Sequence, residues 1–130
     1  MDAFGNDYPR TDIEAIVKAM GVESISVVNA YEYEESVEAL GKALAYEGPA
    51  VVILQGECQL QRQRREKKGV TKTFVDSENC DGCKSCVQLG CPGIKFDVKK
   101  NQSSIDTVLC VDCGLCRQVC PSHVIKQRRR

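Results

Sequence analysis

The sequence lacks any long apolar stretch, and no run approaches the roughly 20 residues that a membrane helix needs. The N-terminal segment Met1–Arg10 has no basic start followed by an apolar stretch, so no secretory signal is indicated. The C-terminal residues Gln127–Arg130 match no lipid anchor or sorting signal. These absences predict a soluble, cytoplasmic protein without a membrane partner.

The chain as a whole also lacks an excess of charge of either sign, but its two halves differ. Residues 1–60 contain three basic and eleven acidic side chains, whereas residues 61–130 contain fifteen basic and seven acidic ones. A basic half can indicate nucleic-acid binding. Residues 61–130 also contain eight of the nine cysteines, however. An iron–sulfur cluster held by four thiolates is itself an anion, so clusters bound to these cysteines would balance much of the basic excess. We therefore do not expect nucleic acid as a partner.

A first helix is predicted over residues 11–21. Thr11 is a suitable N-cap, and Glu14, three residues later, would complete a capping box. The apolar residues that follow recur on one helical face. Gly21 then supplies the C-terminal stop.

The pattern then predicts a strand over 25–28, a helix over about 33–46 and a strand over 50–54. The second strand is an unbroken apolar run, which favours a strand covered on both faces, as in a parallel sheet. Two parallel strands would leave both edges open. We therefore predict that residues 1–58 are part of a larger α/β sheet completed by another chain or by further sequence. The alternative is a minimal α/β unit packed on the rest of the chain.

Residues 59–70 form a basic linker without apolar periodicity. Such a charge run is typical of a solvated connector or a frayed helix. A docking strip for an acidic partner is the alternative interpretation.

Nine cysteines in a chain of cytosolic character indicate metal binding rather than disulfides. Eight of them form two groups with nearly the same spacing: Cys80-x2-Cys83-x2-Cys86-x4-Cys91-Pro92 and Cys110-x2-Cys113-x2-Cys116-x3-Cys120-Pro121. The second group matches the spacing of two-cluster ferredoxins, and the first has one extra residue before its fourth cysteine. Gly90 could absorb that residue by adopting a positive φ.

This spacing predicts a two-cluster [4Fe–4S] ferredoxin-type domain over residues 71–130. The first three cysteines of each motif would wrap one cluster, with Gly82 and Gly114 in the loops, while the fourth starts a short helix and reaches the other cluster. The predicted ligands are Cys80, Cys83, Cys86 and Cys120 for the first cluster, and Cys110, Cys113, Cys116 and Cys91 for the second.

An internal repeat supports this symmetry. Val75-Asp76 and Ile105-Asp106 stand at the same distance before their cysteine motifs, and each half reads as strand, loop, short helix and returning strand. With so small a core, the clusters are expected to hold the fold. Paired C-x2-C units also bind zinc, but the triplet with a distal Cys-Pro favours iron–sulfur. A labile or three-iron cluster at the first motif is a further alternative.

Two other residues could take part in chemistry. Cys58 stands apart from the motifs and is interpreted as a small buried hydrophobe, with a redox role as the alternative. His123, the single histidine, is expected at the surface near a cluster, with tuning of its potential or coupling of a proton as the alternative.

The order of these segments resembles the alpha subunit of indolepyruvate ferredoxin oxidoreductase, of the thiamine-diphosphate-dependent 2-oxoacid:ferredoxin oxidoreductase family. The likeness spans about residues 11–125. Its most specific part is the unusual x4 gap before Cys91. The stretches that carry it are Asp12–Ala15 leading into Ala19–Val22, Gly48–Ile53 ending near Cys58, and Cys80–Cys91.

The resemblance implies an α+β chain, with a partial α/β segment similar to a thiamine-diphosphate domain followed by the two-cluster domain. The family holds thiamine diphosphate and magnesium with a GDG-type motif, which this sequence lacks. We therefore expect two [4Fe–4S] clusters here, and thiamine diphosphate and magnesium only in a complete enzyme. The chain itself would hold no catalytic residue.

The function implied by the resemblance is electron transfer in a 2-oxoacid (indolepyruvate or arylpyruvate) oxidoreductase. Its partners would be a thiamine-diphosphate-binding chain that completes the α/β domain, other subunits of the oxidoreductase and an external ferredoxin. One alternative is a stand-alone ferredoxin-like carrier with an α/β docking segment. Another is a non-redox binding protein with structural clusters.

Overall fold

The computed structural model describes residues 6, 9, 11–66 and 73–128. The chain divides into two compact units. The first contains the described residues up to Ala30 together with Glu34–Gln55, and the second contains Tyr31–Tyr33 and the described residues from Gly56 onward. The end of the predicted linker, residues 67–70, lies outside the described residues, and the predicted domain limits stay predictions.

The first unit has the predicted order of helix, strand, helix and strand. None of the helices that the structure describes is long and apolar enough to span a bilayer. The elements are α1 (Ile13–Ala19), β1 (Ser24–Asn29), α2 (Tyr33–Ala45) and β2 (Ala50–Gln55).

The start of α1 differs from the prediction. Asp12, not Thr11, is the N-cap, and its carboxylate accepts a hydrogen bond of 2.9 Å from the backbone N–H of Ala15. An aspartate cap also places a negative charge at the positive end of the helix. Glu14 does not complete a capping box, because its carboxylate pairs with Lys18 one turn later.

The end of α1 is as predicted. Gly21 adopts a φ of +85°, in the left-handed region that a glycine enters without steric cost. Its N–H donates to the carbonyl of Lys18, and the N–H of Val22 donates to that of Val17. This pair of bonds is the Schellman motif, which satisfies carbonyls left open at a helix C-terminus.

Strands β1 and β2 pair in parallel, with Ser24 opposite Ala50 and Asn29 opposite Gln55. They form a two-stranded sheet in the part of the chain that the structure describes. Contrary to the expectation of a strand covered on both faces, β2 is only half-buried from Ala50 to Ile53, and Leu54 is exposed. A sheet of two strands has too few neighbours to cover both faces.

The apolar faces of both helices in the first unit are exposed as well. Met20, the C-cap of α1, is 76% exposed and Leu44 on α2 is 88% exposed, while Ala39 is the buried residue of α2. Other exposed apolar side chains of these helices are Ile13, Ile16, Val37 and Leu40. Apolar stripes of this kind normally face a core, so these exposed faces are candidate contact surfaces.

The main segment of the second unit, from Gly56 onward, starts with a helix, α3 (Gln59–Arg65). This helix lies in the segment predicted as a basic linker. Its basic side chains are exposed, as a solvated charge run should be. Gln63 donates to the carbonyl of Cys110 at 3.5 Å, so the helix contacts the second cysteine motif.

The rest of the second unit is built from the predicted repeat. Each half has a strand, a cysteine loop, a four-residue helix and a returning strand. The first half contains β3 (Thr73–Val75), α4 (Ser85–Gln88) and β4 (Ile94–Asp97), and the second contains β5 (Gln102–Ile105), α5 (Leu115–Gln118) and β6 (Ile125–Gln127).

The strands form two antiparallel pairs that link the halves. β3 pairs with β6, and β4 pairs with β5. Each pair ends in the same ion pair, Lys126 with Asp76 at 2.7 Å and Lys95 with Asp106 at 2.6 Å. The hydrogen bond from the lysine lowers the pKa of each aspartate. The lysines are exposed, so these pairs contribute little stability, but their equivalence confirms the internal repeat.

The buried core of the second unit consists largely of cysteine. Five residues form it, namely Cys86, Cys116, Cys120, Val124 and Ile125. Apolar residues from both halves, such as Val75 and Ile105, pack against it. Three of the five core side chains are therefore thiols from the two motifs.

Candidate iron–sulfur centre

The two cysteine loops share an unusual backbone conformation. Positive φ values occur at Gly82 (+71°) and Lys84 (+64°) in the first loop, and at Asp112 (+53°) and Gly114 (+86°) in the second. These are equivalent positions of the two motifs, so the repeat extends to the loop backbone. Left-handed residues in a turn can direct successive backbone N–H groups to one side, an arrangement that binds anions. Gly90 also has a positive φ, +65°, as predicted for the extra residue.

The short helices place the third cysteine of each motif, not the fourth. Cys86 lies on α4 and Cys116 lies on α5, and both are buried. The prediction that the fourth cysteine starts a short helix was wrong, because Cys91 and Cys120 follow these helices. Each helix starts directly after a left-handed residue, which redirects the chain before the first helical turn.

The first three cysteines of the first motif line one cavity together with the fourth cysteine of the second. Its volume is about 10 Å³. Its lining includes Cys80, Cys83, Cys86, Cys120 and the hydroxyl residue Ser103. The four cysteines therefore border one common, narrow space.

A second cavity has the complementary lining. Its volume is about 150 Å³. It is bordered by Cys110, Cys113, Cys116, Cys91 and the hydroxyl residue Thr73. The structure thus brings the eight predicted ligand residues together in the two predicted groups of four.

The pKa of Cys116 reflects the same grouping of the cysteines around the second cavity. Burial, together with the neighbouring Cys113, Cys110 and Cys91, raises the pKa of the Cys116 thiol to about 12. Cys86, from the other cavity, contributes in the same direction. An isolated thiol there stays protonated at neutral pH, and iron must displace its proton to bind.

The donor set fits iron–sulfur clusters. Among the residues that the structure describes, no three His, Cys, Asp or Glu side chains converge closely enough to hold a single metal ion. Four thiols instead border each cavity, and a [4Fe–4S] cluster is held by four thiolates.

Two buried hydroxyls were not singled out by the sequence analysis. Ser103 and Thr73 are each 4% exposed. The signal that could have found them is the repeat, because both occupy the same strand position relative to their cysteine motifs.

The remaining two candidates lie on the surface. Cys58 is exposed, so its interpretation as a buried hydrophobe was wrong. It is the N-cap residue of α3, and its side chain makes no capping hydrogen bond. His123 is exposed, as predicted, and its N–H donates to the carbonyl of Cys120 at 3.1 Å.

Comparison with known proteins gives a consistent result. Residues 72–121 match the family described as a 4Fe-4S dicluster domain. The "Indolepyruvate oxidoreductase subunit IorA" of Pyrococcus horikoshii is 41% identical over 121 residues, which is 90% of this chain and 19% of the relative. The chain thus spans about a fifth of that relative's length and matches its C-terminal part.

Two shorter proteins are matched over most of their length. The "Pyruvate synthase subunit PorD" of Methanothermobacter marburgensis is 35% identical over 69 residues, 51% of this chain and 80% of the relative. The "Ferredoxin 7Fe" of Hydrogenibacillus schlegelii is 41% identical over 54 residues, 40% of this chain and 68% of the relative. No match was found among solved structures.

The repeated loops, the two thiol-lined cavities and these matches define the class. The chain belongs to the ferredoxin-type iron–sulfur proteins with a 4Fe-4S dicluster domain. Within that class it is similar to the C-terminal part of the indolepyruvate oxidoreductase subunit IorA, which confirms the resemblance noted in the sequence.

The close packing of the first loop gives a test of the site. A Cβ on Gly82 would lie 2.5 Å from the carbonyl oxygen of Asn101, whereas a Cβ on Gly90 would meet nothing within 4 Å. Both glycines have positive φ, so both alanine variants carry backbone strain, but only Gly82→Ala adds a clash. We expect Gly82→Ala to lose at least half of its bound iron, and Gly90→Ala to keep most of it.

Iron per chain after anaerobic reconstitution measures this difference. Equal iron content in the two variants would contradict the assignment of the loop around Gly82 to a cluster.

Proposed function

We propose that this chain transfers electrons through two [4Fe–4S] clusters as part of a 2-oxoacid (indolepyruvate) ferredoxin oxidoreductase. The observation that carries the proposal is that each cavity is lined by three cysteines of one motif and the fourth of the other. A bound [4Fe–4S] cluster supplies a carrier for one electron, alternating between the 2+ and 1+ states.

The proposed ligands follow from these linings. Cys80, Cys83, Cys86 and Cys120 hold the first cluster, and Cys110, Cys113, Cys116 and Cys91 hold the second. Buried thiols must release their protons to solvent when they bind iron, and the pKa of Cys116 is raised to about 12, so assembly is favoured by higher pH.

We expect the two sites to lie close enough to exchange electrons. Cys86 and Cys120 of the first set share one buried core with Cys116 of the second. Cys116 is also electrostatically coupled to Cys86 of the other set. Ligands that pack together keep the two clusters adjacent.

One relative suggests a different iron content. The name of the ferredoxin from Hydrogenibacillus schlegelii refers to seven irons. In this chain both motifs have three cysteines at x2 intervals and a distal fourth. We therefore propose eight irons, with a three-iron cluster at the first motif as the alternative.

The first unit is proposed to dock on a thiamine-diphosphate-binding chain. Its parallel sheet has two open edges, and the apolar faces of α1 and α2 are exposed. About four-fifths of the IorA relative lies outside the matched part, enough for the rest of a cofactor domain. The partner would add strands to this sheet and carry thiamine diphosphate and magnesium, forming a unit similar to a thiamine-diphosphate domain.

In the complete enzyme the 2-oxoacid would react at that partner's thiamine diphosphate. This chain would supply no catalytic residue and would pass electrons to an external ferredoxin in the cytoplasm. A stand-alone carrier whose α/β unit only docks is the second candidate, favoured by the match to most of a ferredoxin.

Cysteine substitution tests the ligand sets. The unsubstituted protein should contain about eight irons and give two magnetically coupled centres by EPR after reduction with dithionite. Cys91→Ser should disrupt the second cluster and leave the first. Cys58→Ser is the matched control, because Cys58 is exposed and lies outside both cavities, and it should keep all the iron.

Several results would overturn the ligand sets. If the protein contains tightly bound zinc instead of iron, the iron–sulfur assignment is wrong. Seven irons per chain would favour the three-iron alternative at the first motif. Loss of the first cluster in Cys91→Ser would show that the fourth cysteines do not cross.

The docking proposal is tested by coexpression with a chain from the same genome that carries a GDG-type motif. The two should copurify with thiamine diphosphate bound to the partner. Met20→Glu and Leu44→Glu should reduce copurification at least tenfold, because charge is excluded from an apolar interface. Val98→Glu is the control, since Val98 is 80% exposed in the second unit.

If both variants copurify with the partner as well as the unsubstituted protein does, the helix faces are not part of the interface. Absence of any complex with such a chain, together with electron transfer to ferredoxin by this chain alone, would favour the stand-alone carrier.

A further inference from the structure

Two buried hydroxyls stand in equivalent positions of the repeat. Thr73 on β3 and Ser103 on β5 precede their cysteine motifs by the same distance, and each is 4% exposed. They are the buried polar side chains of the described residues. Thr73 lines the second cavity and Ser103 lines the first, so one hydroxyl faces each set of four cysteines.

The hydroxyl of Ser103 contacts a ligand sulfur. Its Oγ lies 3.3 Å from the Sγ of Cys86, which donates to it in the thiol form. A cysteine that binds iron has lost its proton and can only accept. When Cys86 binds iron, the hydroxyl of Ser103 would therefore be the donor, and the Sγ of Cys86 would be the acceptor.

The hydroxyl of Thr73 is engaged elsewhere. Its Oγ1 donates to Oδ1 of Asp112 at 2.6 Å, and its backbone N–H donates to the same oxygen at 3.1 Å. That oxygen also lies 3.9 Å from the Sγ of Cys110. At the second site, therefore, a carboxylate stands beside the ligand sulfur where the first site has a hydroxyl donor.

The other charged groups that line the cavities lie at the first site. Lys84 and Asp81 are both exposed and opposite in sign. Asp81 accepts hydrogen bonds from Ser122 and from the N–H of Cys83. Exposed charges are screened by water and salt, whereas Asp112 is half-buried and acts at closer range.

We propose that Ser103 and Asp112 set unequal potentials for the two clusters, with the first above the second. The proposal rests on the ligand sets of the proposed function. A hydrogen bond to a ligand sulfur stabilises the added electron, and a nearby negative charge disfavours it. An electron entering the pair would rest at the first site, whose Cys83 is exposed at the surface.

The test is an EPR-monitored redox titration of the reconstituted full chain with dithionite. Each cluster takes one electron and passes from the 2+ to the 1+ state, and dithionite is oxidised. Ser103→Ala should make reduction of one cluster about tenfold less favourable, about 59 mV for one electron, and should act on the higher midpoint. The exposed neighbour Ser104 provides the control, since Ser104→Ala should move neither midpoint.

Asp112→Asn should act on the other cluster. Asparagine keeps the shape of the side chain and tolerates the left-handed backbone of this position, so the loop should persist. The expected result is a rise of the lower midpoint, with the higher one unchanged.

The iron content separates failure of this proposal from failure of the proposed function. If the unsubstituted protein lacks two clusters, the proposed function itself is wrong. If all variants hold eight irons but Ser103→Ala shifts neither midpoint, or lowers both equally, the role assigned to Ser103 is wrong. A fall of the lower midpoint in Asp112→Asn would contradict the role of Asp112.

Discussion

Packing of cysteines from both motifs into one core is the constraint on which the second unit depends. Cys86, Cys116 and Cys120 make up most of the buried core, and Val124 and Ile125 complete it. Below about 70–80 residues a single apolar core rarely supplies more than about 3–5 kcal/mol. A core in which three of five members are thiols proposed as cluster ligands has less than that to offer, so we expect iron ligation to supply the difference.

The same constraint explains the symmetry of the unit. If the fourth cysteine of each motif serves the other cluster, neither half can assemble alone, and the two antiparallel strand pairs that join the halves are formed together. The proposed function would follow from this arrangement, because the packing that stabilises the fold would also keep two electron carriers adjacent. The two halves are not identical, however, because Ser103 and Thr73 occupy equivalent positions but have different hydrogen-bond partners.

Much of this could be predicted from the sequence, because cysteine spacing and apolar periodicity are local signals. The grouping of the eight cysteines around two cavities, the positive φ of Gly90 and the α/β order of the first unit all agree with such patterns. The N-cap at Asp12 could not be chosen over Thr11, because both are good caps and only geometry decides between them. The exposure of Cys58 depends on neighbours distant in sequence, and so does the contact of Ser103 with Cys86.

The account is tested most directly by amide hydrogen exchange on the full chain with and without iron. The strands of the second unit, β3 to β6, should be protected in the iron-loaded protein. After anaerobic removal of iron by a chelator, protection of these strands should fall to the level of an unfolded chain. Retained protection of both strand pairs without iron would contradict the claim that metal ligation holds this unit together.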